Sequence, residues 1–374
     1  MSDVVRVLHV LDSLAPGGLE NGVVNVARRL HGGGFDIHAA CLRFRGDFAG
    51  RMPEPEKVVV LGKTDGFSLR AVWKLNRLIR STRADLVHTH NLGTLIYGVL
   101  ATLGGIVCPI VHGEHGQIQK QDLAPKRLAQ RRRLFRLCKR VHVVAAGMVQ
   151  NLAALGLDNV PITVTPNGVD SDRFSPPASK AAAKEAAGFS GDDVIVGIVG
   201  RLVALKRHRL LFDAFALLGT ELPCLHLLVV GDGGAEKEDI VRQMREHPLA
   251  ARIRWAGHQD DMKPFYQAMD VLAAPSEIEG LSNAVLEGMA CGTPVLAHAA
   301  CGNADVIEHD RSGFLAHIYT PAQLAAELRR VLADENLLHD CGIAARDTVC
   351  GRFSMDAMAG CYRALYHGAV SGRK

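Results

Sequence analysis

Residues 275–297 read PSEIEGLSNAVLEGMACGTPVLA. The apolar run ending at Ala274 predicts a strand, which runs into a loop carrying Glu279 and Gly280. A helix opens near Ser282, Gly292 ends it, and Pro294 leads into the next apolar run. Strand, loop, helix, strand is the repeating unit of a parallel sheet covered by helices. In such sheets ligands sit beyond the carboxyl ends of the strands, where a helix N-terminus offers N–H groups and a positive dipole end to an anion. Leu281, Ser282 and Asn283 are therefore placed to hold a phosphate, with Glu279 near the group attached to it. Glu287, one helical turn beyond Asn283, is placed to accept hydrogen bonds from ribose hydroxyls.

The same pattern extends in both directions. VIVGIVG (194–200), LHLLVVGDGG, RIRWAG, VLAAPS and PVLAHA alternate with helical stretches, and helices are expected over Pro321–Ala333 and Ser354–Ala369. Toward the N-terminus, strands are expected at Val4–Leu11, Ile37–Leu42, Val58–Leu61, Leu86–Thr89, Ile110–Gly113, Val141–Val144 and Ile162–Thr165. Residues 166–193 mix Pro, Gly, Asp and Ser with an alanine-rich piece and read as a linker with its flanks. The chain thus reads as α/β, with domains at 1–170 and 171–352, a size that exceeds what one core usually organises.

Arg201 and Lys206 follow the strand at 194–200, where their charges can converge on a diphosphate and help most as negative charge builds on a leaving group. In the first half, Gly17 and Gly18 follow the first strand and permit close backbone approach to a ligand. No G-x-G-x-x-G is present there, and no acid closes the second strand, so a dinucleotide oxidoreductase is disfavoured. The histidines of HTHN (88–91) and HGEHG (112–116) lack a Cys or carboxylate partner at metal-ligand spacing. Packed or hydrogen-bonded rings are expected rather than a metal site, with His115 placed to touch a sugar hydroxyl.

Nine scattered cysteines without a C-x-x-C argue against a disulfide framework or zinc site and for a reducing, cytoplasmic setting. No secretory leader or spanning stretch is expected, and a net charge of +4 does not point to nucleic acid. That charge is concentrated in KQDLAPKRLAQRRRLFRLCKR (120–140), nine Lys or Arg against one Asp. A basic amphipathic helix here fits an anionic membrane surface, as peripheral attachment to its inner face, no better and no worse than it fits solvent.

GGLEN (17–21), HGEHG, TPNGVD (165–170), GRLVALK (200–206), VVGDGG (229–234) and SEIEGLSNAVLEGMACGTPVLA (276–297) together resemble the retaining GT-B glycosyltransferases of family 4, in family order over nearly the whole chain. The resemblance implies two Rossmann-like domains facing across a cleft, a helix at 353–374 crossing back to the first domain, and no bound metal or cofactor. It assigns Arg201 and Lys206 to the diphosphate, Glu287 to the ribose, and Glu279 with the backbone of Gly280 to the sugar. Gly17 and Gly18 fall at the donor phosphate edge and His115 at the sugar's primary hydroxyl. Leu281 and Ser282 stand where the family often has Phe-Gly, and Gly288 where it often has Ala. The implied activity is transfer of a hexose-type sugar from a nucleotide diphosphate donor, UDP-sugar before GDP-sugar, to a glycan or lipid-linked acceptor in surface polysaccharide assembly. A GT-B epimerase, or a nucleotide-sugar-binding partner subunit without turnover, is the alternative.

Overall fold

The computed structural model describes residues 4–371 except 117, 119–121 and 300; Lys120 and Gln121, at the head of the basic stretch, lie outside the described residues. The chain divides into two units, Met1–Gly168 with Met355–Lys374, and Val169–Ser354.

The first unit begins β1 (Val5–Leu11), α1 (Gly18–Leu30), β2 (Phe35–Cys41), β3 (Val58–Val60), α2 (Leu69–Ser81), β4 (Leu86–His90) and α3 (Asn91–Ala101). It continues β5 (Ile110–Glu114), α4 (Pro125–Phe135), β6 (Arg140–Val143), α5 (Ala146–Ala154) and β7 (Ile162–Val164). The second unit begins α6 (Lys180–Ala186), β8 (Val194–Val199), α7 (His208–Leu218), β9 (Leu225–Val230), α8 (Lys237–Glu246), β10 (Ile253–Gly257), α9 (Lys263–Ala268) and β11 (Val271–Ala274). It ends α10 (Asn283–Ala290), β12 (Val295–His298), α11 (Cys301–Val306), β13 (Phe314–Ala316), α12 (Pro321–Leu332) and α13 (Glu335–Arg352), before α14 (Met355–Val370) returns to the first unit.

Both sheets are parallel throughout and share one plan: β3-β2-β1-β4-β5-β6-β7 in the first and β10-β9-β8-β11-β12-β13 in the second. Strand order reverses between β1 and β4, and between β8 and β11. These are the switch points where α/β sheets take ligands.

Burial on both faces explains the apolar strands. In β1, Val5, Val7 and Leu11 join α1 and α14 in one core, whereas Leu8 and Val10 join α2 and Tyr97 in a second. The α1 stripe Val23, Val24, Val26, Ala27 and Leu30 packs with Met358, Tyr362, Leu365 and Tyr366 of α14. The helix over Pro321 starts as its sequence dictates. Thr320 and Gln323 form a reciprocal capping box, and Pro321 occupies the first turn, where its missing N–H costs nothing.

Three elements depart from the sequence reading. The expected linker contains α6, capped by the Ser179 hydroxyl, which accepts from Ala182 N–H. β13 adds a sixth strand. The 18 residues of α13, between the two expected C-terminal helices, bury Cys341, Gly342, Ala345 and Val349, small side chains with no strong apolar stripe.

Candidate functional site

The residues expected to hold a diphosphate follow the switch-point strands of the second unit. Past β8, a single 3-10 turn over Ala204–Lys206 brings Lys206 round, and its Nζ donates to Glu279 Oε2 at 2.8 Å. Both side chains are about one-fifth exposed, so the pair is screened far less than a surface ion pair. Lys206, Glu279 and Ser282 line one crevice together with Ile198, Ala274 and Asn303. Ser282 is the N-cap of α10, yet its side chain makes no capping bond. A cation, a carboxylate and the start of α10 therefore converge over the carboxyl ends of β8 and β11.

The other expected residues are distributed around this point. Arg201 is exposed and does not line the crevice. Glu287 lies against Tyr266, whose buried O–H donates to its Oε2 at 2.8 Å. Burial, then the Glu287 charge, pushes the Tyr266 hydroxyl well above its ordinary pKa, so it stays a donor. Gly280 is packed tightly: a Cβ on Gly302 would come 1.2 Å from the Gly280 carbonyl oxygen. Gly302→Ala therefore has to displace backbone and is expected to cost about 1–3 kcal/mol in urea unfolding, with a matching loss of donor affinity.

Arg207, which nothing in the sequence singles out, ties the site's loops together. Its backbone is left-handed, φ 57, and its Nη1 donates to Ile318 O at 2.6 Å and Pro275 O at 3.3 Å. The guanidinium also pairs with Glu277 at 3.1 Å. A non-glycine residue held at positive φ stores strain of about 1–3 kcal/mol, which these contacts must offset. The next residue, His208, is buried with neither ring nitrogen hydrogen-bonded among the described residues. Burial, then Lys206 nearby, lowers its pKa to about 4.

In the first unit, Gly17 is the N-cap of α1. Its φ of −170 is ordinary extended backbone, so the position does not demand glycine by conformation. His115, just past β5, is half-buried, and its Nε2 lies 2.8 Å from His90 Nδ1. Desolvation holds its pKa down at about 4 although Glu114 pulls the other way.

Two polar arrays occupy opposite faces of this sheet. On one, His112 Nε2–H donates to Glu114 at 3.2 Å and Arg131 Nε–H donates to the same oxygen at 2.7 Å, all three buried. Burial alone would raise the Glu114 pKa, but the bond from His112 and the charges of His112 and Arg131 bring it to about 2. Arg131 is thus turned inward, a departure from a wholly surface role for the basic stretch. On the other face His9, His88, His90 and His142 are buried with Tyr366. His9, His88 and His90 lie close enough together for a metal ion, but all six of their ring nitrogens are already within hydrogen-bond distance of a partner.

Residues 16–173 match Glycosyltransferase Family 4, and residues 179–348 match Glycosyl transferases group 1. The chain is 30% identical over 308 residues to a D-inositol 3-phosphate glycosyltransferase of Streptomyces bingchenggensis, covering 77% of this chain and 67% of the relative. It is 25% identical to the UDP-Gal:alpha-D-GlcNAc-diphosphoundecaprenol alpha-1,3-galactosyltransferase of Escherichia coli, covering 77% and 76%. A crystal structure of Anabaena HepE in complex with UDP shares the fold with a TM-score of 0.85 at 21% identity, covering 96% of this chain and 99% of that one. Two α/β units with parallel sheets of one plan, each matched by its own family profile, leave one conclusion: the chain is a GT-B glycosyltransferase and belongs to family 4.

Proposed function

We propose that this chain is a retaining, metal-independent hexosyltransferase that uses a nucleotide diphosphate sugar, a UDP-sugar in the first instance. The observation that carries the reading is the Lys206–Glu279 pair beside the start of α10. A diphosphate arriving there competes with Glu279 for the ammonium group. Lys206 then neutralises the departing phosphate while the carboxylate is released toward the sugar. Arg201, exposed, adds a second cation, Glu287 takes the ribose, and the backbone from Gly280 to Asn283 takes phosphate and sugar oxygens. Gly17 and Gly18 border the donor phosphate, and His115 takes the sugar's primary hydroxyl. The anomeric C–O bond to diphosphate breaks, the acceptor oxygen bonds to the same carbon on the same face, and the acceptor proton passes to a departing phosphate oxygen. Charge on the leaving group is met by side chains, so no metal is required.

The acceptor is read as a glycan or lipid-linked intermediate of surface polysaccharide assembly, reached by a peripheral enzyme at the cytoplasmic membrane face. Support comes from the Escherichia coli relative, named for a diphosphoundecaprenol acceptor, and from the surface around α4. Leu103, Ile106 and Leu137 are exposed, and a Cβ on Gly104 would sit 3.9 Å from the Leu137 side chain. Arg133, Arg136, Lys139 and Arg140 are exposed nearby in sequence. No helix among the described residues is long and apolar enough to cross a membrane.

The test is incubation with a panel of UDP- and GDP-sugars, following nucleoside diphosphate release with and without a chelator. Slow release from one donor, unchanged by chelation, is expected; release only with added divalent cation would reject the metal-free mechanism. Co-sedimentation with anionic but not neutral vesicles is expected, and Ile106→Glu should weaken it.

A further inference from the structure

The buried histidines of the first unit form a single file. His142 Nε2 lies 2.9 Å from His88 Nε2, and His88 Nδ1 lies 3.0 Å from the Tyr366 hydroxyl. That hydroxyl is 3.3 Å from His9 Nε2, His9 Nδ1 is 2.9 Å from His90 Nε2, and His90 Nδ1 is 2.8 Å from His115 Nε2. Every interior ring spends one nitrogen on each neighbour. A neutral imidazole has one donor and one acceptor, and so does a tyrosine hydroxyl. Such a file has two self-consistent orders, all donors pointing toward His115 or all pointing away.

The far end distinguishes them. His142 Nδ1 is buried and has no hydrogen-bond partner among the described residues. If donors pointed away from His115, that nitrogen would carry a stranded N–H. Pointing toward His115, it carries only a bare lone pair, and buried orphan N–H groups are the rarer of the two. The file also needs a gap in the sheet, because His88 on β4 and His142 on β6 meet across β5. Gly113 provides it: a Cβ there would come 2.6 Å from His142 Nε2 and 2.8 Å from His115 Nε2.

We infer that His142, His88, Tyr366, His9 and His90 are positioning residues that donate in sequence toward His115, fixing it as the Nδ1–H tautomer so that it presents a hydrogen-bond donor to a sugar oxygen. The sugar contact rests on the function proposed above; the order of the file does not. Burial keeps the interior rings neutral, since each is held below its ordinary pKa chiefly by desolvation. A charged ring would break the order by donating in both directions.

The experiment uses the full chain labelled with 15N-histidine, at pH 7.5, with long-range proton–nitrogen correlation to identify which nitrogen of each ring is bare. The expected result is His9, His88, His90 and His115 protonated at Nδ1, and His142 protonated at Nε2. In Tyr366→Phe the link at the middle is cut, so His115 should lose its single tautomer. Its kcat should fall about tenfold with KM little changed, the worth of one well-aimed hydrogen bond. His115 protonated at Nε2 in the unsubstituted chain, a tautomer unmoved by Tyr366→Phe, or stoichiometric metal bound to the rings would each overturn the file. Should the tautomers be as stated while both Tyr366→Phe and His115→Phe leave kcat unchanged, the file stands and the sugar contact falls.

Discussion

Lys206→Ala is expected to lower kcat for nucleotide-sugar turnover by about 10²–10³-fold, the usual effect of removing one preorganised charge from a developing anion. The structure adds a second consequence. Lys206 is the hydrogen-bonding partner of Glu279, so truncation leaves a carboxylate facing the crevice proposed for the donor diphosphate. Like charges there repel the donor, and KM should rise as well. The two effects separate in Lys206→Ala/Glu279→Gln: donor affinity should recover in part, because the repelling charge is gone, whereas kcat should not. Arg201→Ala, exposed and outside the crevice lining, should cost less than Lys206→Ala. Initial rates with an intact donor decide it, and a kcat unchanged by both single substitutions would remove the leaving-group role from these cations.

Acid should unfold the protein well before its carboxylates titrate. His9 has a pKa lowered to about 3, His115 and His208 to about 4, and His88, His90 and His142 are lowered as well, in every case chiefly by desolvation. An unfolded histidine titrates near 6.5. Between that value and the folded one, the unfolded chain binds protons that the folded chain refuses. The stability these groups contribute is thus complete above about pH 6.5 and is lost as pH falls toward 4. Each such ring steepens the loss by up to about 1.4 kcal/mol per pH unit, so a few together become comparable to the roughly 5–15 kcal/mol on which domains of this kind typically stand. Glu114, held at about 2 by His112 and Arg131, contributes its loss only at lower pH. Urea unfolding at pH 7.5 and 5.5 should show a large drop, and His208→Leu, which removes a buried ring without a hydrogen bond among the described residues, should reduce it. Equal stability at the two pH values would mean that these rings are not neutral in the folded chain.

Much of the fold is legible because the strands are β-branched and buried on both faces, so each stands out in the sequence as a short continuous apolar run. α13 is not legible for the opposite reason: Gly342, Ala345 and Cys341 let it pack closely without leaving an apolar stripe. In the site, Lys206, Glu279 and Ser282 could be placed from their positions after strands. Their pairing could not, since the residues that meet are 73 apart. Arg207 looks like one more cation at a helix start, and only its left-handed backbone and three carbonyl partners give it a role. His9 is hidden inside an apolar strand, and nothing near it in sequence announces Tyr366, 357 residues away.

The return of α14 sets an order on synthesis. Met358, Tyr362, Leu365 and Tyr366 complete a core whose other members, Val7, Val24, Leu30 and Phe35, leave the ribosome first. The opening unit must therefore wait, with an apolar face uncovered, while all 186 residues of Val169–Ser354 are made. Until then it is a candidate for chaperone capture, whereas the later unit, continuous in sequence, can close as soon as it emerges.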